Sequence, residues 1–332
     1  DTAEEAAEAL VADGRLRRGQ QFLYQVNAYA TDTSDAARSR FVAEEVVEPL
    51  PLRRSAFAAL LESSTFVGEA DALDVPVPTA AQLDALFALH APVFEIDGRT
   101  DADLPGRPLR RADGRLDFRP EPRVYQWPSL SRLHGRPVLQ LNWLIWFAAR
   151  PPAAGALYAG RLDGLIWRVT LDADGRPYVY DSIHACGCYH LLFPRAGLRL
   201  TAAAAALAET PIAPYPAPAF RPGRHLRLRI ASATHYLIAL DEDDGRPFVP
   251  YRSVDYTALY TDTDADAGTQ TLFDPDGLIP GSERPERWLL WPMGVASAGA
   301  MRERGRHAIA FVGERHFDDP GLPADWLEES PP

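Results

Sequence analysis

The chain has 332 residues, 46% of them hydrophobic and 10% aromatic, which is enough for a large buried core. Its formal charge of -12 argues against nonspecific affinity for nucleic acid or an anionic membrane, since each requires a basic surface. All 34 basic residues are arginine, which excludes P-loop, Schiff-base and serine-lysine chemistries that depend on a lysine.

The first hundred residues read mostly as helices. Thr2 with Glu5 forms a capping-box pattern ahead of an alanine-rich run that ends at Gly14, and Thr79 with Gln82 repeats it before Leu83, Leu86 and Phe87. Asp35 to Val47 and Ser55 to Glu62 carry mixed helical patterns, interrupted by Pro49 and Pro51. His90 falls at the end of the Thr79 segment, where a positive charge favours a helix C-terminus.

From about Arg99, Pro, Gly and Asp punctuate short runs rich in aromatic and β-branched residues, the pattern of antiparallel strands. The strongest are Val138 to Phe147, Gly164 to Leu171, Pro177 to Tyr189, Leu226 to Ala231, His235 to Leu240 and Ala308 to Val312. Asp172 to Arg176 predicts a turn that pairs Gly164 to Leu171 with Pro177 to His184. A similar phrase, Leu240 to Val249, suggests a second hairpin of the same chemistry. Thr201 to Pro222, rich in Ala and Pro, reads as a surface connector. The fold class that follows is α+β, with an N-terminal helical layer packed on a large antiparallel β-sheet or partly closed β-barrel. The division is a mostly helical region over 1–98 and a β-rich region over 99–332, or one continuous domain. Val138 to Phe147 is too short for the roughly 20 residues that span a bilayer, so no integral membrane segment is expected. The start at Asp1 admits a removed export leader, and the compartment stays open.

The only two cysteines lie in His184-Ala185-Cys186-Gly187-Cys188-Tyr189-His190. On a straight strand the two thiols and two imidazoles share a face, although about 3.3 Å per residue separates the outer histidines too far for one ion. A neighbouring pair with ligands from elsewhere satisfies a metal, and a bend at Gly187 brings more of the quartet together. Mixed thiolate and imidazole ligands suit zinc first, then copper or iron; a site with no metal is the alternative. Cys186, Cys188, His190 and His235 are the candidate metal ligands. His184, Asp163, Asn142 and His307 are the candidate catalytic groups, with Asp181 as a further orienting carboxylate. Asp262, Asp264 and Asp266 resemble the start of a calcium loop, but Ala267 and Phe273 break the pattern.

The leading expectation is a metal-dependent enzyme acting on a small molecule or peptide, with hydrolysis ahead of oxidation. Two rivals accompany it. One is a non-catalytic envelope or binding protein with a structural metal. The other is a cysteine-dependent thiol enzyme, using either a Cys nucleophile or a Cys186–Cys188 redox disulfide that requires Gly187 to bend.

Overall fold

The computed structural model describes residues 37–43, 69–152, 157–207, 209–261, 271–310, 313 and 315–331. In chain order these form β1 (Ala37–Ala43), the short strands β2 (Glu69–Ala70) and β3 (Pro76–Val77), the helix α1 (Ala80–His90), and β4 (Val93–Gly98). There follow β5 (Pro105–Arg110), β6 (Leu116–Pro120), β7 (Arg123–Leu133), β8 (Arg136–Arg150), β9 (Gly160–Leu171) and β10 (Pro177–His184). The remainder are β11 (Leu191–Pro194), β12 (Leu198–Leu200), β13 (Leu226–Ile230), β14 (Leu237–Glu242), β15 (Val249–Asp255) and β16 (Leu327–Glu329). Helical pieces of three to five residues complete the list, among them Arg287–Leu290 and Trp291–Met293.

Ten strands hydrogen-bond in the order β11-β10-β9-β8-β7-β15-β1-β4-β13-β14, curling into a half-barrel, with β5 and β6 off this path. The run from β7 to β11 is antiparallel. Beyond it, β15 pairs parallel with both β7 and β1, and β13 pairs parallel with β4. The sheet is therefore mixed, and the expectation of an antiparallel one is corrected. So is the N-terminal helical layer: the described residues are 42% strand and 14% helix, and no such layer is among them. The helical reading of Asp35 to Val47 fails because β1 occupies its centre. Arg38 pairs with Asp97 at 3.3 Å and Arg40 approaches Glu95 at 4.0 Å across β4, while Phe41 and Ala43 enter the core. Cross-strand context outweighs local propensity there. The Thr2–Glu5 box, Ser55 to Glu62 and Asp262 to Asp266 lie outside the described residues.

The central strands are apolar on both faces. On β8, Leu141, Trp143, Ile145 and Phe147 join one core with α1, whereas Leu144 and Trp146 join a second core on the opposite face. That second core is closed by the C-terminal third, through Tyr256, Phe273, Met301, Phe317 and Trp326. Covering both faces explains why β9 and β10 are continuously buried instead of alternating between core and solvent.

The Thr79 helix starts as its sequence predicts: the Thr79 hydroxyl accepts from the Gln82 backbone amide at 3.3 Å, and the Gln82 side-chain Oε1 accepts from the Thr79 backbone amide at 2.8 Å. Its end differs. His90 is buried and stacked on Phe220, 5.0 Å between ring centroids, and burial together with the nearby His225 pushes its pKa down to about 3. It is a neutral packed ring rather than a charge on the helix terminus.

The β9–β10 hairpin forms as predicted. Asp172 Oδ1 accepts from the amides of Asp174 and Arg176 at 3.0 and 2.9 Å, Gly175 takes φ +72°, and Ile183 lies opposite Ile166. The similar phrase at Leu240 makes no hairpin: β14 is the sheet edge on β13, and β15 lies between β7 and β1. Here Arg40 takes the place of a returning strand, ion-pairing with Asp243 and donating to the carbonyl of Arg246. In Ala308 to Val312 the described residues form only an isolated bridge, Ala308 to His316.

Candidate functional site

Strand β10 ends at His184 because the next four residues turn. The Gly187 amide donates to the His184 carbonyl at 2.8 Å, the His184 amide donates to the Cys188 carbonyl at 2.9 Å, and Gly187 adopts φ +94°. A Cβ on Gly187 would lie 2.6 Å from the Ala308 carbonyl oxygen, so glycine serves both the turn and the close approach of that segment. Arg302 holds the turn from outside, its backbone amide donating to Ala185 O at 2.8 Å and its Nε to Cys186 O at 3.2 Å.

The turn brings each of the two histidines to a carboxylate. His184 Nδ1 meets Asp163 Oδ1 at 3.3 Å, and His190 Nε2 meets Asp181 Oδ2 at 2.9 Å. Cys186 and Cys188 line a cavity of about 310 Å³, whose wall His190 also joins. Both are free thiols, Cys186 buried and Cys188 half-buried. A hydrogen bond from Cys188 holds the Cys186 thiol below its ordinary pKa. The same bond, with burial and the neighbouring sulfur's charge, pushes Cys188 well up.

Behind this turn lies a buried polar cluster centred on Asp163. Its carboxylate accepts from its neighbour Gly164 N at 3.0 Å and from His235 Nδ1 at 2.9 Å, with Arg284 Nη2 at 3.4 Å. Burial alone would raise the Asp163 pKa, but His184, His235 and Arg284 hold it well below the usual carboxylate range. His235 has Asp103 Oδ1 3.4 Å from its other nitrogen, and its ring stacks on Phe147 at 4.0 Å between centroids. Burial opposes charge on His235, yet the two carboxylates prevail and raise its pKa. His184 carries no second carboxylate, and burial lowers it. Asp181 is held by a fork from Arg168, whose Nε lies 2.9 Å from Oδ1, and Arg168 covers the Phe317 ring at 3.5 Å.

The expectation of a Cys/His metal centre is corrected by this arrangement. Among the described residues no group of three or more His, Cys, Asp or Glu could hold a metal ion. The reason is geometric: His190 lines the cavity with Cys186 and Cys188 but has its Nε2 on Asp181, and His235 faces Asp163 and Asp103 with its two nitrogens. Hydrolysis, which rested on that metal, loses its support with it.

Asn142 donates to Trp127 O at 3.1 Å and Ser129 Oγ at 2.9 Å, binding strands together. His307 is buried with Nδ1 3.5 Å from Asp318 and its ring near Phe317. Neither lines the thiol cavity; Cys186, Cys188 and His190 do.

Glu286 and Tyr158, which the sequence reading did not select, also line that cavity. The Glu286 carboxyl is raised by burial, partly offset by Arg284, and it occupies the space that a Cβ on Gly299 would fill. Arg150 lies close by, donating to the Tyr236 hydroxyl at 2.8 Å with its guanidinium over the rings of Tyr236, Tyr189 and Tyr158 at 4.8, 5.6 and 5.8 Å. Glu286 follows a Pro between two arginines and gives no local signal of a pocket; only the fold brings it to residues a hundred positions away. No protein-family model matches the chain, and no curated protein or solved structure matches it either.

Proposed function

We propose that the protein is a thiol-dependent enzyme in which Cys186 and Cys188 exchange with a substrate disulfide. The observation that carries this reading is the pair itself: two free thiols, two positions apart around the bend at Gly187, that line one sizeable cavity. A Cys nucleophile of the Cys-His type is less well supported. Among the described residues His184 and His190 each hold a carboxylate, and neither makes a hydrogen bond to Cys186 or Cys188.

In the forward direction the Cys186 thiolate attacks one sulfur of a substrate disulfide, breaking its S–S bond and releasing one substrate thiolate, which takes up a proton. Cys188 then loses its proton and attacks the Cys186 sulfur of the mixed disulfide. A Cys186–Cys188 bond forms, and the second substrate thiol leaves. Two electrons pass from the dithiol to the substrate disulfide. Arg150 favours charge on Cys188 by Coulombic attraction, whereas Glu286 opposes it.

The test is trapping. With a neutral aromatic disulfide such as 4,4′-dithiodipyridine, C188S should accumulate a stable mixed disulfide on Cys186, whereas wild type should release two thiols and retain no adduct. A stable adduct on wild type, with both cysteines modified independently, would reject exchange between them.

A further inference from the structure

We infer that the cavity beside the paired thiols binds a flexible apolar chain, alkyl or acyl, that enters across the exposed collar Trp288–Met293. This names a substrate class for the site proposed above; it rests on that reading for the chemistry but not for the binding.

The collar is the most unusual surface among the described residues. Trp288 and Trp291 are each 71% exposed, Leu289 65% and Met293 37%, all within six consecutive positions. Single exposed apolar side chains are ordinary, but a contiguous group of this size marks a binding surface. Leu289 and Met293 belong to the collar and also line the cavity, so one apolar surface runs from solvent inward to the thiols. Leu157, Ile212, Val295 and Ile309 continue it inside.

Charge points the same way. Among the described residues no arginine lines the cavity, so an anionic group placed deep inside would meet no cation among them in direct contact. The polar groups present are the thiols, Tyr158, Tyr189, His190, which is bonded to Asp181, and Glu286, whose carboxyl burial shifts toward its neutral form. A polar head therefore belongs at the mouth and the apolar portion inside. Size is also suitable. An apolar cavity of about 150 Å³ holds the six carbons of benzene, so about 310 Å³ suits roughly a dozen carbons. A longer chain would lie against the collar as it leaves.

The experiment uses the full chain and a fluorescent fatty acid, 11-(dansylamino)undecanoic acid, with wild type and the C186S/C188S double variant. Saturable one-to-one binding is expected in both proteins, displaced by dodecanoate and not by benzoate. L290R, at a half-exposed cavity wall, should weaken binding at least tenfold with an unchanged circular dichroism spectrum. W288S/W291S, which leaves the cavity intact, should slow probe association several-fold. Flotation with zwitterionic phosphatidylcholine vesicles separates the two sources of such a chain: wild type floats and W288S/W291S does not if it comes from a bilayer, and neither floats if it comes as a free amphiphile. Absence of saturable binding in both wild type and the double variant would overturn the inference, as would equal displacement by benzoate. So would a dimer whose dissociation by W288S/W291S is needed before the probe binds. Because the double variant has no thiols, its binding stands or falls independently of disulfide exchange.

Discussion

His90 and Asp163 show how the neighbours of a buried ionisable group decide whether it keeps its charge. Asp163 is surrounded by His184, His235 and Arg284, so it keeps its charge in the core. His90 has no carboxylate among the causes of its shift, and burial with the His225 charge carries it down to about 3. A histidine whose folded pKa lies below its unfolded value of 6.5 contributes stability that is fully present above pH 6.5 and lost as pH falls toward 3, because the unfolded chain takes up the proton first. H90F keeps the stacking on Phe220 and removes the titration. Urea midpoints measured between pH 7 and 4.5 should therefore fall less steeply for H90F than for wild type. His184 and His190, also lowered by burial, should leave a residual slope. A slope identical to wild type would show that His90 does not titrate on unfolding. The sequence revealed His90 at a helix end but not its surroundings, since Phe220 and His225 arrive from more than a hundred residues away.

The segment from His184 to Cys188 shows how much an element's local conformation decides. Strand periodicity placed four chemically active side chains on one face, but the strand ends at His184 and the backbone turns left-handed at Gly187 and Tyr189. The identity of Gly187 was the legible clue, because a glycine between two cysteines admits the bend that joins the thiols. G187A tests this directly. Alanine at φ +94°, with its Cβ 2.6 Å from the Ala308 carbonyl oxygen, should cost about 1–3 kcal/mol. Thermal unfolding should report the loss, and disulfide formation between Cys186 and Cys188 should slow in proportion to the displaced turn. A variant as stable as wild type, forming the disulfide at the same rate, would mean that the bend does not set the thiol geometry. The β9–β10 hairpin was readable for the opposite reason: its Asp, Gly and Pro act over six residues, and its partners are adjacent in sequence.

Across the whole molecule, local pattern identified β8, β9, β10, β13 and β14 but missed β7, β15, β1 and β4 between them, and with them the parallel pairings. Parallel pairing of β15 with β7 and of β13 with β4 joins segments more than a hundred residues apart, and alternation along a strand carries no record of its neighbour's orientation. The cavity was hidden in the same way. Cys186 and Cys188 identified one wall, while Glu286 and the Trp288–Met293 collar come from a segment with no cysteine or histidine to mark it. The account turns on whether those two thiols act as one redox unit. The most direct measurement is a glutathione redox titration of the full chain followed by intact mass and peptide mapping. The account predicts a loss of two hydrogens per molecule in a single two-electron transition, with the new bond joining Cys186 to Cys188. Independent glutathione adducts on the two cysteines, with no bond between them at any ratio, would contradict it.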